Sequence, residues 1–337
     1  MSEVKTAELT AKDFTSDQEV KWCPGCGDYA ILKAVQKAMP IIGRKKEDVV
    51  FVSGIGCSSR FPYYMDTYGF HGIHGRAPAL ASGVKLANPK LSVWQITGDG
   101  DALAIGGNHF IHAIRRNMGL NILLFNNRIY GLTKGQFSPT TDLGHKTKSS
   151  PQGVIDNPFH PGELVLGAKG SFFARVVDVN PKHMTEIMVE AEKHEGTSLV
   201  EILQNCIIFH DKVFSQYTAK ENKDEALLYI EHGKPMIFGK DKDKGLRLSG
   251  IELEVVTIGE NGITEADILV HDAKLENPTL HFMLVRLDYP MVLGVIRSFD
   301  SDPYEKKLQR QVLEVAEKSQ FKTIDDLLLS GETWEIV

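Results

Sequence analysis

Four cysteines and one acidic, glycine-flanked turn are where this sequence can seat chemistry. Cys23 and Cys26 stand in a Trp22-Cys23-Pro24-Gly25-Cys26-Gly27 turn, Cys57 in Gly54-Ile55-Gly56-Cys57-Ser58, and Cys206 just beyond an apolar run. Thiols so spaced serve an iron–sulfur cluster, a structural zinc, or unligated and redox-paired cysteines, and spacing alone leaves these open. Between Gln95 and Lys134, Gly98-Asp99-Gly100-Asp101 follows one apolar run and Asn126-Asn127 closes the next. Asp99 and Asn127 thus fall just past the C-terminal ends of two expected parallel strands, where ligands of open α/β sheets sit. One carboxylate, one side-chain amide and a main-chain carbonyl in the turn after Asn127 are a few hard oxygens, which suits magnesium and leaves room for phosphate oxygens and water. Glycines on either side of Asp99 admit an anion closely, and the start of the following helix adds partial positive charge.

Two familiar phosphate motifs fail on the same letters. A P-loop needs a glycine loop closing on Gly-Lys-Ser/Thr, and the dinucleotide fingerprint needs a third glycine where this chain has Leu103. The remaining pattern, Gly-Asp-Gly followed one strand-helix-strand unit later by Asn-Asn, resembles the diphosphate-binding motif of thiamine-diphosphate enzymes.

The elements that must position these residues follow from periodicity. A helical pattern starts after Asp28 and is stopped by Pro40 and Gly43, and Val49 to Val52 reads as a buried strand. Phe61 to Arg76, rich in aromatics, glycine and histidine, reads as a long shaped loop, and Ala77 to Ala87 as a closely packed helix. In the central unit, Val93 to Thr97 is a strand, a helix ends at Gly119, and a second strand closes on Asn126-Asn127. The irregular stretch after Lys134 is expected to be functional, since it lies beside the diphosphate site. Phe172 to Val177, Lys182 to His194 and Ser198 to Leu203 give a further β, α, β alternation. These elements predict an α/β fold with a mainly parallel sheet and helices on both faces, its core ending near residue 215. Residues 216–337 read as an extension covering the core or a partner. Within it, Leu253 to Ile258 and Thr279 to Leu287 look strand-like, Glu305 to Lys318 looks like an amphipathic helix, and Lys240 to Lys244 looks like an exposed turn.

A formal charge of −6 over 337 residues, with no basic block outweighing the acids, argues against a nucleic-acid surface. No apolar run reaches the length of a membrane span, and the polar N-terminus does not read as a signal peptide, so the expected location is the cytoplasm.

The cysteine turns, His74-Gly75-Arg76-Ala77 and the central stretch resemble, in that order, the β subunits of 2-oxoacid:ferredoxin oxidoreductases. The match covers about the first 215 residues and resumes at Gly259-Glu260-Asn261-Gly262-Ile263-Thr264. Within the family the chain is most similar to β chains acting on 2-oxoglutarate, with pyruvate and branched 2-oxoacids as alternatives. A non-redox thiamine enzyme with structural zinc, and an electron-transfer subunit that has lost cofactor chemistry, are more distant alternatives. The resemblance implies the diphosphate-binding half of a thiamine-diphosphate fold. It also implies a [4Fe-4S] cluster on Cys23, Cys26, Cys57 and Cys206, and magnesium on Asp99, Asn127 and the carbonyl of Ile129. Cys57, Ser58, Gly98, Asp99, Gly100, Asp101, Asn127, Ile129 and Leu132 would then face the cofactor, with His74 at its border and Lys134 and Arg60 as cations for the substrate. The implied reaction is CoA-dependent oxidative decarboxylation of a 2-oxoacid, or its reverse, with electrons leaving one cluster for ferredoxin. The family's glutamate that helps form the cofactor carbanion comes from an α subunit, so an αβ pair or its dimer, (αβ)2, is the expected working unit.

Overall fold

The structure, a computed structural model, describes residues 9–336. Its first six strands are β1 Val49–Ser53, β2 Tyr68–His71, β3 Ser92–Gly98, β4 Leu120–Asn126, β5 Phe172–Val177 and β6 Ser198–Leu203. Five more follow: β7 Leu227–Ile230, β8 Ile237–Phe238, β9 Lys244–Ser249, β10 Glu252–Thr257 and β11 Met291–Ser298. Eight of them form one sheet in the order β2-β1-β3-β4-β6-β5-β11-β7, and β8, β9 and β10 form a separate antiparallel sheet. Strands β1 to β6 run parallel, whereas β11 is antiparallel to β5 and parallel to β7. Strands β1, β4, β5 and β6 are buried at every position, as expected where helices cover both faces of a parallel sheet.

Eleven α-helices accompany the strands among the described residues. In chain order they are α1 Asp28–Ile42, α2 Ala77–Ala87, α3 Asp99–Leu103, α4 Gly107–Arg116, α5 Pro161–Gly167 and α6 Pro181–Lys193. The rest are α7 Ser215–Thr218, α8 Lys223–Ala226, α9 Thr279–Arg286, α10 Tyr304–Lys318 and α11 Ile324–Leu328. One face of the large sheet packs α1 and α6 around Phe51, Trp94, Phe125 and Met188. The other packs α2, α4, α5 and α9 around Phe110, Leu120, Ile122, Leu124 and Phe173. Among the described residues no helix is long and apolar enough to cross a membrane.

Several sequence expectations change. The sheet does not stop near residue 215, because β7 and β11 extend it, and β11 pairs directly with core strand β5. Thr279 to Leu287 is mostly helix rather than strand, and it buries His281, Leu284 and Val285 at helical spacing. The stretch from Phe61 to Arg76 is not all loop: a 3-10 helix over Ser58–Tyr64 leads to β2, a short exposed edge strand on β1. Helix α1 continues through Pro40, whose missing N–H costs one bond in the last turn, and ends at Gly43 in the left-handed region. The single helix expected before Gly119 is two, α3 and α4, and Asn117 rather than Gly119 caps the second. Gly119 has another task. A Cβ there would stand 2.1 Å from the Glu305 carboxylate, which accepts the Gly119 amide at 3.1 Å and ties α10 to the sheet. Beyond that contact α10 exposes Val312, Leu313 and Val315, and the following segment exposes Leu328 and Trp334.

Candidate functional site

The strand exits build one cavity of about 560 Å³ at the C-terminal ends of β1, β3 and β4. Its walls include Cys57, Ser58, His74, Gly98, Asp99, Asp101, Asn127, Ile129, Tyr130 and Leu132. A larger open cleft of about 1350 Å³ runs along α6, but it contains none of the cysteines and neither diphosphate turn. The smaller cavity is therefore the candidate site.

Asp99 opens α3 and is buried. Its Oδ2 accepts the hydroxyls of Ser138 at 2.6 Å and Thr140 at 2.5 Å. Burial pushes its carboxyl up, and the two hydroxyls pull against that shift. Across the cavity, Asn127 Oδ1 accepts the Ile129 amide at 3.2 Å, closing a turn in which Arg128 has φ 56°. The Ile129 carbonyl accepts no hydrogen bond among the described residues, so it is an open acceptor beside Asn127 and Asp99. These oxygens fit a hard cation such as magnesium.

Asp101 lines the cavity, and its hydrogen bonds are to other parts of the chain. Its Oδ1 accepts the amides of Ile55 at 3.0 Å and Gly75 at 2.7 Å and meets His74 Nδ1 at 2.8 Å, while Oδ2 accepts Thr97 Oγ1 at 2.7 Å. Its acceptors tie the exits of β1 and β3 to the His74 loop. Gly100 also packs against the protein. A Cβ there would lie 2.3 Å from the Tyr130 ring, so the position is glycine to admit that ring, whose hydroxyl donates to the Gly100 carbonyl at 2.9 Å.

Cys57 and Cys206 approach each other beside this cavity. A Cβ on Gly131 would stand 3.5 Å from Cys206 Sγ and 3.6 Å from Cys57 Sγ. Burial pushes the Cys26 thiol up, with Asp28, Cys206 and Cys57 adding to it. Burial pushes Cys57 up to about 12, with Asp28, Cys206 and Cys23 adding. For Cys206, burial raises the thiol, and main-chain amides of Phe209, Ile208 and His210 work the other way. Such thiols stay protonated at neutral pH unless a positive centre binds them. Among the described residues no group of three or more His, Cys, Asp or Glu side chains is gathered tightly enough for a single metal ion.

A family model for the C-terminal TPP-binding domain of thiamine pyrophosphate enzymes matches residues 54–202. Over 331 residues the chain is 49% identical to 2-oxoglutarate oxidoreductase subunit KorB of Mycobacterium tuberculosis, covering 96% of this chain and 88% of that protein. The chain belongs to the 2-oxoacid:ferredoxin oxidoreductase β-subunit family. The family's β subunit from Saccharolobus solfataricus is 45% identical over 201 residues, 59% of this chain and 66% of that one. A solved 2-oxoglutarate:ferredoxin oxidoreductase from Magnetococcus marinus, with 2-oxoglutarate, coenzyme A and succinyl-CoA bound, superposes with a TM-score of 0.77 at 27% identity over 97% of each chain.

The remaining residues expected from the family pattern are spread more widely. Arg60 lies outside the cofactor cavity, in an adjoining chamber of about 640 Å³ that shares Ile55, Gly56 and Leu132 with it. Its Nε donates to the Tyr64 hydroxyl at 2.9 Å. Lys134 is exposed, has φ 76°, and lines neither chamber. Ser138 and Thr140 join the site without belonging to any motif read from the sequence, and Tyr130, inside the central stretch, joins it without a role read there. The signal for the first two is the cluster of hydroxyl residues in the irregular segment beside the site.

Proposed function

We propose that this chain is the β subunit of a 2-oxoglutarate:ferredoxin oxidoreductase that works with an α subunit, as an αβ pair or (αβ)2, and passes electrons to ferredoxin. One observation carries the reading: Cys57 lines the cofactor cavity itself, and Gly131 sets its sulfur and that of Cys206 beside the turn carrying Ile129. A redox centre and a diphosphate end would therefore share a wall. Asp99, Asn127 and the Ile129 carbonyl would hold magnesium and the diphosphate, and Cys23, Cys26, Cys57 and Cys206 would hold a [4Fe-4S] cluster. When bound, thiamine diphosphate supplies the carbanion chemistry of 2-oxoacid decarboxylation and the cluster accepts single electrons. Ser58 and Leu132 shape the cavity, and His74, held by Asp101, borders it. Arg60 in the adjoining chamber suits the second carboxylate of 2-oxoglutarate, which pyruvate lacks. The cavity is lined by Asp28, Asp99 and Asp101 but by no glutamate among the described residues, which supports a partner subunit as the source of the activating carboxylate.

The test is an anaerobic assay of the chain co-purified with its α subunit, reading CoA-dependent ferredoxin reduction with 2-oxoglutarate, pyruvate and branched 2-oxoacids. Turnover with 2-oxoglutarate is expected to dominate and to be lost from the isolated chain. Preference for pyruvate would overturn the substrate assignment, and full turnover by the isolated chain would overturn the partner assignment.

A further inference from the structure

Ser138 and Thr140 come from the irregular segment after Lys134, yet both hydroxyls reach the same oxygen of a buried carboxylate. An ionised carboxylate oxygen has two lone pairs, so two hydroxyl protons satisfy Asp99 Oδ2 and leave Oδ1 for another partner. A buried polar network lies behind Thr140. Thr140 Oγ1 lies 3.0 Å from Asn126 Oδ1, and the Asn126 amide donates to Glu201 Oε1 at 2.8 Å. Glu201 Oε2 accepts Arg175 Nε at 2.7 Å, and Arg175 also donates to the Val285 carbonyl at 3.2 Å. Asp99, Asn126, Ser138, Thr140, Arg175 and Glu201 are all buried. Thr140 has one proton and three possible acceptors, Asp99 Oδ2, Asn126 Oδ1 and Ser138 Oγ at 3.2 Å; the shortest contact and the charge assign it to Asp99, so the carboxylate sets the hydroxyl's direction and Asn126 receives no hydrogen bond from Thr140.

We propose that Ser138 and Thr140 are positioning residues for the cation site, holding Asp99 by Oδ2 so that Oδ1 is presented to the metal. The proposal rests on the cofactor reading above. It gives the irregular segment a task, because the segment supplies the orienting donors rather than a metal ligand.

The experiment measures Mn2+ binding by electron paramagnetic resonance in the assembled αβ protein at saturating thiamine diphosphate, for wild type, Thr140→Val, Thr140→Ser and Ser138→Ala. Removal of a group that orients a metal ligand typically weakens binding about 10–100-fold. That loss is expected for Thr140→Val and Ser138→Ala, with affinity retained in Thr140→Ser. Equal affinity in wild type, Thr140→Val and Ser138→Ala overturns the positioning role while leaving the cofactor reading intact. Wild-type protein without thiamine-diphosphate-dependent Mn2+ binding overturns both. If Thr140→Val does not fold, the comparison of Ser138→Ala with wild type decides by the same criteria.

Discussion

Replacing Gly100 by alanine tests whether this glycine serves Tyr130 or the approach of an anion. The added Cβ would stand 2.3, 2.4 and 2.8 Å from Cε1, Cζ and Cδ1 of Tyr130. Carbon atoms pack best at about 3.5–4.0 Å, so the ring must retreat by about 1 Å or more. Its hydroxyl would then leave the Gly100 carbonyl, now 2.9 Å away. Overpacking costs about 1–3 kcal/mol and a lost hydrogen bond about 1 kcal/mol, which together give about 2–4 kcal/mol. Denaturant unfolding of Gly100→Ala, Tyr130→Leu and the double variant measures this directly. Tyr130→Leu removes the clashing ring, so the double variant is expected to be more stable than the sum of the single effects by about 1–3 kcal/mol. Additive losses would refute the packing explanation. The double variant should also bind thiamine diphosphate as Tyr130→Leu does, since anion approach is not what the missing Cβ protects.

Two further perturbations follow from buried polar groups. Asp101→Asn replaces an acceptor-only carboxylate by a group that cannot serve Ile55, Gly75, His74 and Thr97 together, and a loss of about 1.5–3 kcal/mol in denaturant unfolding is expected; unchanged stability would remove Asp101 as the tie between strand exits. His183 is held down to about 4 by burial, and its Nδ1 has no partner among the described residues. The unfolded chain therefore takes up this proton first, near the ordinary value of 6.5, so the His183 contribution is complete above that pH and is lost as pH falls toward about 4. His183→Leu should lose less stability than wild type between pH 6.5 and 4, and parallel pH profiles would contradict this.

The strand exits are legible in the sequence because buried parallel strands appear as short apolar runs that end in glycine or polar residues. Phe172–Val177 and Ser198–Leu203 coincide with β5 and β6, and the turns after β3 and β4 carry Asp99 and Asn127 as read. What local pattern does not hold is pairing at long range. The insertion of β11 between β5 and β7 joins segments far apart in the chain, and no periodicity announces it. The apolar run at Thr279 to Leu287 is ambiguous for a related reason, since a short buried helix and a buried strand are equally rich in apolar residues. Residue type likewise marks Asp101 and Gly100 as special without showing which neighbours claim them. Lys134 takes a left-handed backbone and lines neither chamber, which only coordinates can show.

The order of the strands explains why cysteines and diphosphate ligands share one wall. Cys57 follows β1 and Cys206 follows β6, while Asp99 and Asn127 follow β3 and β4, which lie between them. Three strand spacings separate β1 from β6, about 14 Å at the usual distance between neighbours. Sulfurs left at their own strand ends could not share one cluster across that gap. Both exits must therefore lean inward over β3 and β4, and the approach of Cys57 and Cys206 to Gly131 shows that they do. Cys57 lines the cavity that also holds Asp99 and Asn127, so a redox centre held by these cysteines would stand beside the place where the cofactor would be held.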